Sequence, residues 1–155
     1  SALYMNAADD TDTNGIADWW GLYYFGLTNA VAEADDDGDD LNSGDEFRMG
    51  TNPRLQDTDA DGAGDRAEVV AGTSPTNGMD VFSIAPLSGD ASPAAGVSWS
   101  SVTGRIYRVF CNSNLTLGWP LEHVYEATGT GSMMTYTNAD HTAGALLYRV
   151  GVQTN

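Results

Sequence analysis

Lysine is missing from this chain of 155 residues, cysteine occurs once and histidine twice. The single cysteine, Cys111, excludes an intrachain disulfide, so no disulfide framework holds the fold. It reads as a small buried hydrophobe on a strand, with an intermolecular bridge as the alternative. His123 and His141 stand alone, in no zinc-ligand spacing, and read as exposed or hydrogen-bonded polar residues. There is no GxSxG elbow, no phosphate-binding glycine loop and no Cys–His arrangement, so no catalytic set nominates itself. No apolar run approaches the roughly 20 residues of a membrane span. No signal peptide is visible, although Ser1-Ala2 would suit a mature end left by signal cleavage. The expectation is a secreted, non-enzymatic protein that inserts into no membrane.

Positive charge is scarce too: six arginines stand against 22 acids, for a net charge of −16. The imbalance is confined to one half. Residues 1–80 hold 18 acids and 3 arginines, and residues 81–155 hold 4 acids and 3 arginines. Such asymmetry points to two parts, a repeat region over 1–78 and a second domain over 79–155. A polyanionic half repels nucleic acid and anionic membranes and attracts cations. Disorder is the alternative for so charged a segment, but the acids fall at fixed spacings and apolar stretches follow each cluster.

The acidic half repeats. DTDTNG begins at Asp10, DDDGDD at Asp35 and DTDADG at Asp57. The second and third units run on in parallel, through an acidic loop and a short helix to Gly-Thr-x-Pro, ending at Pro53 and Pro75. Gly50 and Gly72 stand where a helix takes a left-handed C-terminal residue. The first unit reads as a helix over Ala17–Phe25 ending at Gly26. Past Met79 the acids thin out and β-type alternation begins, with strands expected near Val81–Ile84, Gly96–Ser100, Arg105–Asn112, Leu121–Ala127, Ser132–Thr137 and Leu146–Gln153. The fold class is therefore α+β, mostly β: tandem calcium-loop and short-helix repeats followed by a small antiparallel β-sandwich.

Calcium takes about six to eight oxygens, and a twelve-residue loop supplies them from positions 1, 3, 5, 7, 9 and 12, with a sharp turn at 6. The third unit fills every place: Asp57, Asp59, Asp61, the Ala63 carbonyl, Asp65 and Glu68, with Gly62 at the turn. The second offers Asp35, Asp37, Asp39, the Leu41 carbonyl, Ser43 and Glu46, with Asp40 at the turn, where Asp tolerates a left-handed backbone better than most residues. Ser43 would act directly or through water. The first offers Asp10, Asp12, Asn14, the Ile16 carbonyl and Asp18, but Gly21 stands at position 12. Its last ligand must come from elsewhere or from water, or the site is weak. The bland alternatives are a solvated acidic face or Asp helix caps. A cap needs one Asp, whereas carboxylates crowded at alternate positions repel by up to ~4 kcal/mol per close pair. Calcium suits such a crowd better than magnesium, which keeps its waters.

These loops resemble thrombospondin type 3 calcium repeats over roughly residues 9–77, with kinship to dockerin and EF-hand loops. IADWWGLYYFG resembles the aromatic helix that follows the first such loop in large secreted proteins of aquatic bacteria, where Glu is usual in place of Gly21. VSWSSVTGRIYRVFCNSNLTLGW and LLYRVGV resemble, more loosely, the fibronectin type III-like module that ends those proteins. The resemblance implies an accessory, surface or sorting region. Trp19, Trp20, Tyr23, Tyr24 and Phe25 read as a small core around the first helix, and Trp99, Tyr107, Trp119 and Tyr148 as sandwich core, with an exposed sugar platform as the alternative. Asn114-Leu115-Thr116 is a glycosylation sequon. The leading expectation is an extracellular structural or adhesive protein rigidified by calcium. Its partner would be a second copy, with Ser1–Ala8 free to add a strand to a neighbour's sheet, or a glycan. The competing expectation is a carbohydrate-binding or sorting accessory module of a larger secreted enzyme.

Overall fold

The computed structural model describes residues 9–87, 96–113, 116, 118–120, 123–138 and 146–154. The expectations for Ser1–Ala8, the sequon at Asn114, His141 and the start of the strand at Leu121 lie outside them. The chain divides into two compact units, residues 1–69 with 74–80, and residues 70–73 with 81–155. It is a small α+β protein in which strands outnumber helices. Among the described residues no helix is long and apolar enough to cross a membrane.

The acidic unit is built from loops that each feed a short helix: α1 (Asp18–Phe25), α2 (Ser43–Met49) and α3 (Asp65–Ala71). Asn42 caps α2 by accepting the Asp45 N–H at 2.9 Å. Gly50 ends α2 at φ 79°, a conformation in which its N–H returns to the Glu46 carbonyl. The apolar core is small. Ile16, Trp20 and Ala30 are buried, with Tyr24, Phe25, Ala32 and Phe47 against them. Trp20 meets Tyr24, Phe25 and Phe47 edge-on, with ring centres 4.9, 5.7 and 5.8 Å away. Only part of the expected aromatic core is buried. Trp19 and Tyr23 sit on the outer side of α1 and stay 42% and 75% exposed.

The β-unit has two three-stranded antiparallel sheets. One runs β1 (Ile84–Pro86), β2 (Gly96–Ser100), β5 (Met133–Thr137); the other runs β4 (Tyr125–Thr128), β3 (Ile106–Asn112), β6 (Leu147–Gln153). Alternation along β3 sends Tyr107 and Val109 inward, both fully buried, while Ile106, Arg108 and Phe110 face the other way, half-buried. Val97 and Trp99 of β2 meet them from the first sheet, and Trp99 and Tyr107 lie 5.9 Å apart between ring centres. The sheets thus share one core. Tyr148 packs at its margin. Trp119 does not join it; the Arg149 guanidinium lies over its ring at 5.3 Å and over Phe110 at 4.4 Å. Cys111 is a free thiol on β3, half-buried rather than enclosed.

Tyr107 is fully buried and its hydroxyl accepts the Val102 N–H at 2.8 Å. Tyr107→Phe keeps the ring and leaves that N–H without a partner. A loss of about 1–3 kcal/mol is expected, read as a lower urea midpoint at unchanged slope.

Candidate metal centre

Three acidic clusters could each hold a metal ion: Asp10, Asp12 and Asp18; Asp35, Asp37 and Asp39; Asp57, Asp59 and Asp61. Within each, carboxylate oxygens lie within 4.8 Å of one another. The loops that carry them share their wiring. The carboxylate at position 1 accepts the N–H of position 6: Gly15 to Asp10 at 2.9 Å, Asp40 to Asp35 at 3.1 Å, Gly62 to Asp57 at 3.0 Å. The side-chain oxygen at position 5 accepts the N–H of position 7: Ile16 to Asn14, Leu41 to Asp39, Ala63 to Asp61. The N–H of position 9 closes onto the carbonyl before the loop: Asp18 to Asp9, Ser43 to Ala34, Asp65 to Gln56. Ile16 and Leu41 at position 7 are buried, which pins the inner strand of their loops against apolar neighbours.

Two backbone positions per loop are left-handed. Position 6 reads φ 85° at Gly15, 72° at Asp40 and 101° at Gly62; position 4 reads 58° at Thr13, 78° at Gly38 and 61° at Ala60. Asp40 takes the strained turn its place requires. The strain at position 4 went unread in the sequence, where Gly38 was its one signal. Thr13 and Ala60 hold a conformation costing on the order of 1–3 kcal/mol each, so the loop hydrogen bonds must over-determine it.

In the second and third loops the carboxylates at positions 3 and 5 use one oxygen on the backbone and turn the other inward, whereas Asp35 and Asp57 at position 1 accept N–H groups on both. Asp37 and Asp39 each accept a loop N–H at Oδ1. Their Oδ2 atoms are buried with no hydrogen-bond partner, as are Ser43 Oγ and Glu46 Oε2. Asp59 and Asp61 repeat this in the third loop. Glu46 is fully buried, its other oxygen meeting Thr51 Oγ1 at 3.4 Å. An unpartnered buried polar atom costs about 1–3 kcal/mol, more when charged. Four in one loop rival the roughly 5–15 kcal/mol that holds a whole domain together. Among the described residues no ion pair reaches them: Arg48 pairs with Asp45 at 3.0 Å, and Arg54 donates to the Tyr24 carbonyl.

The electrostatics agree. Burial, then Asp37 and Asp39, push the Glu46 carboxyl up to about 8, and Thr51 offsets little of this. Burial foremost, then neighbouring carboxylates, raise Asp37 and Asp39 above the usual carboxylate range despite the N–H groups they accept. The donor set is all oxygen and mostly carboxylate, which suits a hard divalent cation. Asp37, Asp39, Ser43 and Glu46 fit one, because a cation satisfies in a single step what no hydrogen bond does.

The first loop is different. Asn14 Oδ1 accepts the Ile16 N–H, so its Nδ2 faces both the Ala30 carbonyl at 2.7 Å and Asp12 Oδ2 at 2.9 Å. Only an NH2 group can face those two acceptors. A neutral donor here occupies Asp12 Oδ2, whose counterparts in the other loops are partnerless. Thr11 donates twice to Asp18 Oδ1, at 3.0 and 3.2 Å. Thr58 does the same for Asp65, at 2.8 and 2.7 Å. These threonines, one place after the first Asp in both DTDxxG loops, are functional neighbours that the ligand spacing alone passes over. At Gly21 a Cβ would lie 2.5 Å from the Leu27 carbonyl and 3.3 Å from Ala30 Cβ. The place where a Glu would reach into the first loop is filled by backbone. Elsewhere, His123 lies 3.7 Å from Glu126, exposed and remote from any acidic cluster in sequence.

No protein-family model, curated protein or solved structure matches this chain.

Proposed function

We propose that the protein is an extracellular calcium-binding structural or adhesive protein, in which calcium in the second and third loops rigidifies thrombospondin type 3-like repeats. The observation that carries this is the group of partnerless buried oxygens on Asp37, Asp39, Ser43 and Glu46. Extracellular calcium is plentiful, so sites with dissociation constants of roughly 0.1–1 mM suffice there. The β-unit, with one sheet ordered β1-β2-β5 and β3 flanked by β4 and β6 in the other, supports a fibronectin type III-like module. Titration calorimetry of the whole chain tests the calcium reading. Two ions are expected per chain, and one in Glu46→Gln; no heat of binding at millimolar calcium removes the reading.

The first loop, in this reading, holds itself with the Asn14 amide and does without an ion. Asn14→Asp replaces the NH2 group by an oxygen facing the Ala30 carbonyl and Asp12. It is expected to lower the thermal midpoint in chelator by several degrees, at about 1–2 kcal/mol. Millimolar calcium should recover most of that loss, because the loop then has a cation-shaped vacancy.

Assembly with a second copy is favoured over glycan recognition by the placement of aromatics. Among the described residues of the β-unit no aromatic ring is fully exposed, so no flat row stands ready to stack on sugar. β5 and β6 each pair on one side only among the described residues, and a one-sided strand can accept another chain. Electron microscopy of purified protein with calcium and with chelator distinguishes the outcomes. Ordered polymers in calcium support assembly; monodisperse particles in both conditions oppose it.

A further inference from the structure

We propose that the outer face of the β4-β3-β6 sheet, centred on Arg149, receives the acidic unit of a second copy, so that copies join head to tail; this rests on the assembly reading above. Cations are scarce in a chain with six arginines and no lysine. Arg48, Arg54 and Arg108 are spent within it, on Asp45, the Tyr24 carbonyl and Glu126. Arg149 stands opposite Phe110 in the β3–β6 ladder and is exposed. Among the described residues no carboxylate pairs with it. Its guanidinium lies over the rings of Phe110 and Trp119 instead. Such stacking fixes the group and leaves its fork of N–H donors unspent, preorganised for a carboxylate. The fork opens on a groove of about 230 Å³ lined also by Ile106, Arg108, Phe110 and Gln153.

Charge names the occupant. Residues 1–80 hold 18 of the 22 acids. Two of them, Glu33 and Asp36, are exposed and lie outside the ligand places of the loops. Among the described residues no arginine pairs with either. Asp36 stands on the edge of an apolar groove of about 180 Å³, lined also by Phe25, Leu27, Ala30, Val31 and Ala34. Leu27 and Val31 are exposed there. Each surface supplies what the other lacks: a carboxylate beside apolar side chains, and an arginine seated on aromatic rings. A chain of net charge −16 repels its own copies, and a contact that brings these acids to Arg149 reverses that repulsion locally. The two surfaces are different parts of the chain, so the contact is heterologous. Each joined pair leaves one surface of each kind free, and further copies can add. Main-chain pairing at a sheet edge, by contrast, is indifferent to the charge of Arg149.

Sedimentation velocity of the full chain in millimolar calcium, over a range of concentrations, tests this. The wild-type mass is expected to grow with concentration. Arg149→Gln and Glu33→Gln/Asp36→Asn should each weaken association roughly tenfold or more. All three side chains are exposed, so both variants should fold, as circular dichroism checks. The variants spoil opposite surfaces. In an equimolar mixture the intact acidic surface of one meets the intact arginine surface of the other, and assembly should stop at a dimer of the two. Misfolded variants could not give that dimer. Either variant assembling as the wild type does, or a mixture that forms no dimer, overturns the proposal. A wild-type chain that stays monomeric at every concentration defeats the assembly reading itself, and this docking with it.

Discussion

In chelator at neutral pH the acidic unit is expected to melt far below its calcium-loaded midpoint, by roughly 20 °C or more, while the β-unit keeps its own transition. The reasoning starts from the size of the apolar core. Among the described residues the acidic unit's hydrophobic cluster is Ile16, Trp20 and Ala30 with their half-buried neighbours. Against them stand the crowded carboxyls of Asp37, Asp39 and Glu46, none of which is in an ion pair among the described residues. An ion that binds the folded state alone adds about 2.7 kcal/mol at a hundredfold excess over its dissociation constant. Two such ions contribute about 5 kcal/mol, and each kcal/mol moves the midpoint of a domain this size by about 4–8 °C. The β-unit rests on Trp99, Tyr107 and Val109, and its described residues include no acidic cluster. Calorimetric scans in calcium and in chelator should show one midpoint that moves and one that stays. A single midpoint indifferent to chelator would mean that the loops are held by their hydrogen bonds alone.

Much of this was legible in the residues, for physical reasons that differ from place to place. Strand β2 falls on its expected residues, because Val97 and Trp99 alternate with serines and one face is committed to the core. Strand β1 begins three residues later than alternation in Val81–Ile84 implied, since its register is fixed by β2: Ile84 opposite Trp99, Pro86 opposite Val97. The helix ends were readable because Gly26, Gly50 and Gly72 adopt the left-handed form that other residues resist. The acidic loops were readable because alternation of Asp has no cheaper explanation than a cation.

Long-range contacts were not legible. Nothing in the spacing shows that the Leu27 carbonyl closes over Gly21, or that Asn14 reaches the carbonyl of Ala30 sixteen residues on. Trp19 and Tyr23 were read into the core because their helix is apolar nearly all round, and such a pattern does not say which side meets the fold.

Without calcium, acid should stabilise the acidic unit, contrary to the usual behaviour of carboxylates. The folded chain holds the Glu46 carboxyl at about 8, and the unfolded chain near the ordinary value of about 4.3. Below the lower value both states carry the proton and the fold is at its most favourable. As pH rises from there towards 8, the unfolded chain gives up its proton and the folded chain does not, so stability falls. Each unit of separation is about 1.4 kcal/mol, which makes the total on the order of several kcal/mol, most of it lost by neutral pH. Asp37 and Asp39, raised in the same direction by the same burial, add to the slope at its acidic end. Calcium reverses the sign. It takes Glu46 only as the carboxylate, so binding near pH 7 should release close to one proton, and affinity should rise with pH until about 8. Urea midpoints in chelator are therefore expected to fall between about pH 5 and 8, and in millimolar calcium to hold or climb. Calorimetry in two buffers of unlike ionisation heat counts the protons. Midpoints in chelator that rose with pH would show that the buried carboxylates are already paired, leaving no place for the ion.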